Sequence, residues 1–364
     1  MFFNVQEKSF KEDYQNLLVT IGALSNLFSE STTPYLDYRV VENVFCKSFD
    51  AKNLARFDCS VDAQKDNIGI GIKTFLHNSK NQKIAEFNEF SAEIRSKLVE
   101  EQVQLVSKLR NDRINFTKRN YNINQMIYHL ITRDKSKFYV IETPMDTIDV
   151  NKLKILDSSK TSVKFKDDKN EYSFNYSKST LFKKFDLENI LLEIPIGIID
   201  DPYTFLKEEL LGKIQELKKV DKTAESVVLP LYSEKNGEKV VFEKSGLNQW
   251  NAGGRVRNIN EVYIPIKASF YKEHPDFFPD RETPFDVVLP NGNTLNMKIC
   301  QDNGKALMSN PNKALGEWIL IDVLALKEGE ILTYEKLKSL GIDSILITKG
   351  DNYTINFIKN EKND

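Results

Sequence analysis

Cysteine and histidine are scarce in this chain of 364 residues, which contains three of each. Cys46, Cys59 and Cys300 lie far apart and lack CxxC spacing, so we expect neither a disulfide framework nor a cysteine zinc site. The three histidines are equally dispersed. The composition therefore excludes a histidine-rich metal centre and leaves carboxylates as the natural ligands for any metal ion.

Long apolar runs and an excess of one charge are also missing. No stretch approaches the roughly 20 uncharged apolar residues that a membrane span needs, and the first residues do not have the pattern of a signal peptide. These absences predict a cytoplasmic protein without a membrane partner. The 51 lysines and arginines almost balance 53 aspartates and glutamates, so the net charge gives no indication of a nucleic-acid partner.

Apolar residues are plentiful and follow recognisable periods. Helical spacing predicts a helix over residues 10–28, and Pro34 marks where a second helix begins. Residues 68–76, IGIGIKTFL, predict a strand whose alternating glycines indicate close approach by another backbone or a ligand. A long helical pattern then extends from Gln82 to about Ser107.

A change of pattern divides the chain near residue 222. Residues 126–200 predict successive strands, and a helix follows from Pro202 to about Lys219. Beyond residue 227, short strands alternate with turns such as KNG, PNG and DNG, which is typical of a small β-barrel or sandwich. We therefore predict a first α/β domain over residues 1–221 and a second, mostly β domain over residues 222–364.

The segment ARFDCSVDAQKDNIGIGIKTF carries the most informative chemistry of the first domain. Asp62 lies in a turn, and Lys73 is the single charged residue on an otherwise apolar strand. Burial of an unpaired ammonium costs several kcal/mol, so Lys73 needs an anion. The alternative is that Lys73 extends to solvent from an edge strand and that Asp62 caps a turn.

An acid followed by a strand that ends in a lysine resembles the PD-(D/E)XK nuclease core. The resemblance implies that two carboxylates bind Mg²⁺ and that Lys73 positions or deprotonates the attacking water. The usual second acid, two residues before the lysine, is Gly71 here. A related pattern of lysine, twelve residues and glutamate places that acid at Glu86, which makes Asp62 and Glu86 the predicted metal ligands. Glu42, on the preceding helix, stands where related nucleases have a supporting acid.

Other assignments in this region stay open. Glutamates are frequent after Lys73, and Glu89 or Glu93 could also be aligned with the missing acid by chance. Residues 103–140 carry a local excess of six positive charges, which indicates either a surface that grips a phosphate backbone or a solvated helix face.

A second resemblance covers residues 245–343. The runs SGLNQWNAGGRVRNINEVYIPI, HPDFFPDRETPFDVVLPNG, LNMKICQDNGKALMSNPNKALGEWILIDVL and LTYEKLKSLGIDS are similar to the C-terminal B3-like DNA-binding domain of a set of bacterial Type II restriction endonucleases. That resemblance implies a seven-stranded pseudobarrel with two loop arms that enter the major groove.

The two arms contain the side chains that read base edges in other proteins. Arginine forks to guanine, asparagine and glutamine pair with adenine, and aspartate accepts from cytosine. The predicted DNA-binding residues of the first arm are Gln249, Trp250, Asn251, Arg255, Arg257 and Asn258. Those of the second arm are Gln301, Asp302, Asn303, Lys305, Ser309 and Asn310. For any single one, the alternative is a hydrogen-bonded turn residue.

Together the two resemblances predict a Type II restriction endonuclease. The fold class is an α/β (α+β) restriction-endonuclease-like nuclease domain followed by a mostly β, B3-like pseudobarrel, with Mg²⁺ as cofactor and double-stranded DNA as partner. The chain contains no HxK motif, which excludes a phospholipase-D-like catalytic half. A homodimer is one way to make two cuts, and a cognate DNA methyltransferase is the expected genetic partner. The alternative is a non-catalytic, sequence-specific DNA-binding protein in which Gly71 marks a degenerate nuclease site.

Overall fold

The computed structural model describes residues 1–214, 225–248 and 259–360. The chain divides into two compact units. The first comprises Met1–Ile114 and Ile123–Asp221, and the second comprises Asn115–Asn122 and Lys222–Asp364. Residues 115–122, which the sequence analysis assigned to the first domain, are therefore grouped with the second unit.

The first unit contains two sheets and most of the helices. Its helices are α1 (Phe2–Val5), α2 (Lys8–Ala23), α3 (Tyr38–Ser48), α4 (Ser91–Arg95), α5 (Val99–Tyr121, of which Asn115 onward belongs to the second unit) and α6 (Pro202–Ile214). Its strands are β1 (Lys52–Asn53), β2 (Ala63–Lys65), β3 (Ile68–Leu76), β4 (Asn81–Glu86), β5 (Gln125–Asp134), β6 (Lys137–Pro144), β7 (Lys154–Ser158), β8 (Ser162–Lys166), β9 (Glu171–Asn175), β10 (Thr180–Lys184) and β11 (Ile190–Pro195).

One sheet of the first unit carries the candidate site. Its order is β1-β2-β3-β5-β6-β11, with β3 and β5 parallel and the other neighbours antiparallel. The second sheet is antiparallel throughout, in the order β4-β10-β9-β8-β7. The strands predicted over residues 126–200 are thus confirmed, and they are shared between the two sheets.

Helices α2 and α3 cover one face of the first sheet. The Asp37 side chain caps α3 by accepting hydrogen bonds from the backbone N–H groups of Arg39 and Val40. The predicted second helix therefore begins at Tyr38, not at Pro34. Apolar residues of α3 and of β3, among them Phe45 and Ile72, share one buried core, so α3 is held against the strand that carries Lys73.

The glycines of β3 are required by close packing. A Cβ atom at Gly71 would lie 2.5 Å from the Met145 Cε atom and 3.2 Å from the Tyr128 ring. A Cβ atom at Gly69 would lie 2.9 Å from Ile123. The predicted close approach is confirmed, but side chains make it, not another backbone or a ligand.

The long helix predicted from Gln82 is wrong at its start. Residues 81–86 form β4, which pairs with β10, and the long helix α5 begins only at Val99. Pairing with a strand almost a hundred residues later overrides the local helical pattern. The helix predicted after Pro202 is present as α6, and residues 215–219 lie outside the described residues.

The second unit is built on one strongly curved sheet. The strands of this unit, not all of them in that sheet, are β12 (Glu225–Pro230), β13 (Ser233–Lys235), β14 (Glu238–Val240), β15 (Ile264–Pro265), β16 (Phe285–Val288), β17 (Thr294–Cys300), β18 (Ala306–Ser309), β19 (Ser344–Lys349) and β20 (Tyr353–Ile358). Its helices are α7 (Phe270–Glu273), α8 (Ala314–Gly316), a π-helical segment (Glu317–Val323) and α9 (Tyr334–Leu340).

Within the described residues, seven strands form this sheet in the order β12-β19-β20-β16-β17-β18-β15. The end strands β12 and β15 contact each other, so the sheet is a nearly closed barrel. Apolar side chains fill its interior, and Trp318 packs there with its ring centroid 5.5 Å from that of Phe357. In the described part of the chain, no helix is long and apolar enough to cross a membrane.

Candidate functional site

Asp62 is fixed beside the middle of β3. It lies just before β2, and its backbone N–H donates to the Ile70 carbonyl at 2.8 Å. Its Oδ2 atom accepts a hydrogen bond from the Ile72 backbone N–H at 2.7 Å. The predicted turn acid is therefore tied to the residue next to Lys73, with its Oδ1 atom left for another partner.

Glu42 joins this group from α3. Its side chain is buried, and its Oε2 atom accepts from Arg39 Nη1 at 3.1 Å. Burial raises the pKa of Glu42, and the charge of Asp62 raises it further, whereas Arg39 and Lys73 lower it. Glu42 is thus close enough to Asp62 and to Lys73 for the charge of each to act on it. We call these three residues the acid–lysine cluster.

The field of the two acids also reaches Cys46, one turn after Glu42. Burial raises the pKa of the Cys46 thiol to about 12, with further contributions from the charges of Glu42 and Asp62. The thiol therefore stays protonated at neutral pH and is not a nucleophile. Two carboxylates near each other with a raised pKa at one of them form the kind of site that a cation stabilises.

Lys73 lies on β3 with its side chain half-buried. Side chains alternate along a strand, so Lys73 shares a face with Gly71 and Phe75. Among the described residues, Lys73 forms no hydrogen bond and no ion pair within 4 Å. Because the position two residues earlier is a glycine, no acid from the same strand neutralises the ammonium, and Asp62 and Glu42 supply the nearby negative charge.

Glu86 is placed differently from its prediction. It is the last residue of β4, not part of the first turn of the long helix, and its Oε1 atom accepts from Lys83 Nζ at 2.9 Å. Within the part of the chain that the structure describes, no hydrogen bond or ion pair connects Glu86 to Asp62 or Lys73. The structure therefore brings three of the four predicted catalytic residues together, and the fourth pairs with a surface lysine.

Two arginines hold the loop that precedes Asp62, and the sequence analysis did not single out this role. Arg39 Nη1 donates to the Ala55 carbonyl at 2.7 Å. Arg110, buried on α5, donates to Ser60 Oγ at 3.2 Å and to Tyr128 Oη at 3.0 Å. The three-residue spacing of Arg39 and Glu42 on one helix is the sequence signal that places Arg39 at the cluster. No local feature of the sequence indicates the contacts of Arg110.

The basic segment predicted over residues 103–140 does not form one surface. Arg110 is buried, and burial lowers the pKa of Arg113 to about 10, with the charge of Arg110 adding to the effect. Arg119 belongs to the second unit, where it donates to the Val323 carbonyl, and Lys137 pairs with Glu193 at 2.8 Å. The charges counted along the chain are therefore dispersed in space.

The acid–lysine cluster suits one kind of metal ion. Within the described residues, no three His, Cys, Asp or Glu side chains form a group able to hold a metal, so a closed protein cage is absent there. Mg²⁺ is usually held by one or two carboxylates together with waters and substrate phosphates. The free oxygens of Asp62 and Glu42 fit that mode of binding.

The second unit contains the predicted second arm as the connection between β17 and β18. Gln301 and Asn303 have positive φ angles of 66° and 60°, and Gly304 has one of 67°, so the chain turns sharply here. A Cβ atom at Gly304 would lie 2.6 to 2.9 Å from the Tyr271 side chain, whose Oη atom donates to the Gly304 carbonyl. This packing holds the turn in place.

Most side chains of the second arm are exposed. Gln301, Asp302, Asn303, Lys305 and Asn310 face solvent, and Asp302 Oδ1 pairs with Arg281 Nη1 at 3.2 Å.

Ser309 does not fit the prediction that it contacts DNA. It is fully buried, its Oγ atom donates to the Pro311 carbonyl at 2.9 Å, and it accepts from the Leu315 backbone N–H at 2.8 Å. A hydroxyl group that is used twice inside the domain is not available for a base. Gln249, Trp250, Asn251, Arg255, Arg257 and Asn258 of the first arm lie outside the described residues.

Residues 219–351 match the family model of the NgoFVII C-terminal B3-like DNA-binding domain. The matched range contains six of the seven strands of the nearly closed barrel, all except β20, together with the β17–β18 turn and the predicted first arm. The B3-like match confirms the resemblance found in the second domain. A search of curated proteins finds no match to the chain.

Proposed function

We propose that this protein is a Type II restriction endonuclease that cleaves double-stranded DNA in a Mg²⁺-dependent reaction. The observation that carries the proposal is the meeting of Glu42, Asp62 and Lys73 in a chain whose C-terminal part matches a B3-like DNA-binding domain. Asp62 and Lys73 are the residues that the PD-(D/E)XK resemblance selects. Glu42 takes the place of the acid that Gly71 lacks.

Each residue of the acid–lysine cluster has a distinct task in this proposal. Bound Mg²⁺ supplies positive charge for the phosphate and lowers the pKa of a water molecule. Asp62 would hold the ion, and the Ile72 N–H keeps the Asp62 carboxylate oriented. Glu42 would be the second carboxylate ligand, with its Oε2 atom held by Arg39. Lys73 orients the attacking water and places a second positive charge beside the phosphate.

Recognition of a specific site is assigned to the second unit. The exposed residues of the β17–β18 turn and the first arm carry the donors and acceptors that distinguish base pairs in the major groove. Two strands must be cut, so we propose either a homodimer or two successive nicks. A neighbouring gene for a DNA methyltransferase that protects the same site is the genetic partner that this function requires.

Incubation of the purified protein with plasmid DNA tests the proposal. We expect discrete fragments in the presence of Mg²⁺ and none in EDTA, because the ion supplies charge stabilisation at the phosphate and activation of the attacking water. Fragments of the same pattern in EDTA would contradict the assigned role of the acid–lysine cluster.

Asp302 gives a separate test of base recognition. Asp302→Ala is expected to weaken binding to the recognition site by about 1–3 kcal/mol and to relax discrimination at one base pair, as for loss of a direct base contact. Binding to random DNA should stay the same or tighten, because a negative charge is removed. Competition binding with single-base variants of the site measures this. Asp351→Ala, an exposed aspartate in the β19–β20 turn, is the matched control, and equal effects of both changes would reject a base contact.

A second candidate is a non-catalytic, sequence-specific DNA-binding protein. The observation in its favour is Gly71, which stands where the second acid is expected and where a Cβ atom would lie 2.5 Å from Met145 Cε and 3.2 Å from the Tyr128 ring. Specific binding without cleavage, under any divalent ion, is the result that would select it.

A further inference from the structure

A pocket of about 370 Å³ lies in the first unit, and neither the acid–lysine cluster nor the second unit contributes to it. It is formed where the β7–β8 turn and the turn after β9 meet helices α4 and α5. Arg95 and Lys160 supply positive charge, and Ser158, Thr161 and Ser177 supply hydroxyl groups. None of the described residues that line it is acidic, although acids slightly outnumber basic residues in the chain.

The walls of the pocket are tied to one another. Arg95 Nη2 donates to the Tyr176 carbonyl at 2.7 Å, which fixes one edge of the guanidinium group. The Tyr176 backbone N–H donates to the Thr161 carbonyl at 2.9 Å, and its Oη atom donates to Gln102 Oε1 at 2.6 Å. Arg95 is therefore oriented before any ligand arrives, and its remaining N–H groups stay available.

The Lys160 turn is equally constrained. Ser159 Oγ accepts from the backbone N–H groups of Thr161 and Ser162, at 3.3 and 3.1 Å. Lys160 lies at the tip of this turn, exposed, and forms no hydrogen bond or ion pair with another described residue. The turn thus brings the Lys160 side chain to the pocket that the Arg95 guanidinium group also lines.

Two cations, several hydroxyl groups and no carboxylate are the chemistry that recognises phosphate. Arginine matches two phosphate oxygens with parallel hydrogen bonds, and lysine adds a point charge. The volume falls in the range of small-molecule sites and exceeds that of a single phosphate ion. We propose that this pocket binds a phosphate group of a nucleic-acid backbone through Arg95 and Lys160.

Salt-dependent binding of the full-length protein to random-sequence duplex DNA, in EDTA, tests the assignment. Each phosphate contact adds about one unit to the slope of log K against log salt. We expect Arg95→Ala and Lys160→Ala each to reduce the slope by about one unit, with an affinity loss of roughly tenfold near 0.1 M salt. Lys160→Arg should restore the slope.

Lys164→Ala is the matched control. Lys164 lies on β8 of the same sheet, is exposed, and is not part of the pocket. Lys164→Ala removes the same charge as Lys160→Ala but should leave the slope of log K against log salt unchanged. Equal slope changes for Lys160→Ala and Lys164→Ala would overturn the proposal, because they would report net charge and not a site.

A second arm of the experiment separates a nucleic-acid strand from a free phosphate ester. Inorganic phosphate and a 5′-mononucleotide are added separately, and the melting temperature is measured. If the melting temperature rises for the wild type and for Lys164→Ala but not for Arg95→Ala, while all DNA slopes agree, the pocket holds a free phosphate ester and the backbone assignment fails. If neither DNA slope nor melting temperature responds to Arg95→Ala, the phosphate site itself is rejected. Neither assay depends on cleavage, so the result is independent of the acid–lysine cluster.

Discussion

Asp62→Asn and Lys73→Met are each expected to abolish detectable DNA cleavage while leaving the affinity for the recognition site unchanged. Both changes keep the approximate shape of the side chain and remove its charge. Loss of a residue that stabilises charge at the phosphate typically costs at least about 100- to 1,000-fold in rate. Cleavage rates are measured with Mg²⁺, and site affinity is measured in EDTA.

Substitution of Glu42 and of Glu86 tests which of the two acids completes the acid–lysine cluster. Glu42→Gln should reduce cleavage by about 100-fold or more, because Glu42 lies beside Asp62 and Lys73. Glu86→Gln should cleave at close to the wild-type rate, since the Glu86 carboxylate pairs with Lys83 at the surface. If Glu86→Gln instead lost more activity than Glu42→Gln, the second metal ligand would be Glu86, as the sequence predicted. Glu12→Gln and Lys80→Met, at exposed sites on α2 and before β4, control for loss of charge.

Sequence analysis selected Asp62 and Lys73 because both depend on local features. The strand over residues 68–76 has the bounds observed for β3, and the turn acid lies a fixed distance before it. A short apolar run with a single lysine stands out without knowledge of any other part of the chain. Local pattern therefore predicted the strand and two members of the cluster.

Glu86 shows where local pattern stops being sufficient. The glutamate–lysine–alanine composition after Gln82 favours a helix, but those residues pair with β10. A partner almost a hundred residues away leaves no trace in local periodicity. The twelve residues after Lys73 therefore run through the end of β3, a turn and β4. The Glu86 carboxylate lies on a different sheet from Lys73 as a result.

Burial explains the remaining differences. Ser309 looks like a member of a polar arm in sequence, yet the barrel encloses it and uses its hydroxyl group to join β18 to the next helix. Arg110 counts as one charge in a basic run, yet it points inward and holds the loop before Asp62. Whether a polar side chain meets solvent or backbone is a tertiary property, so composition alone assigned both to the surface.

The support of the acid–lysine cluster extends into the core beneath it. Glu142 on β6 and His129 on β5 are fully buried neighbours, with Oε1 3.0 Å from Nδ1. The Nε2 atom of His129 lies 3.0 Å from Tyr14 Oη. Both Glu142 oxygens also accept from the Phe3 backbone N–H, each at 3.1 Å. Burial, with a smaller effect from the charge of Glu142, raises the pKa of Tyr14 well above its usual value, so its hydroxyl group keeps its proton.

This buried network connects the sheet to the helix that carries Glu42. The Phe45 ring of α3 lies 4.9 Å from the His129 ring and 6.0 Å from the Tyr14 ring, centroid to centroid. A shift of His129 or Tyr14 therefore changes the packing of α3 one turn beyond Glu42. The network is consequently a structural support for the acid–lysine cluster, because the side chains of Glu142 and His129 are fully buried.

Glu142→Ala is expected to lower the free energy of unfolding of the first unit by about 3–5 kcal/mol, the cost of removing one partner from a buried pair. The loss leaves His129 and the Phe3 N–H buried without their acceptor. Hydrogen exchange of the β5 and β6 amides measures it within the first unit. Glu193→Ala, on neighbouring β11, removes an exposed ion pair with Lys137 of β6 and should cost no more than about 1 kcal/mol.

Cleavage kinetics separate support from chemistry. At low temperature, where Glu142→Ala stays folded, a structural support predicts cleavage within about tenfold of the wild type, in contrast to the much larger loss in Asp62→Asn. On warming, the variant should lose activity together with its β5 and β6 protection, because the same network holds α3 against the sheet. A loss as deep as that of Asp62→Asn while the first unit is still folded would instead place Glu142 in the reaction. A stability loss no greater than that of Glu193→Ala would mean that the network does not hold the fold.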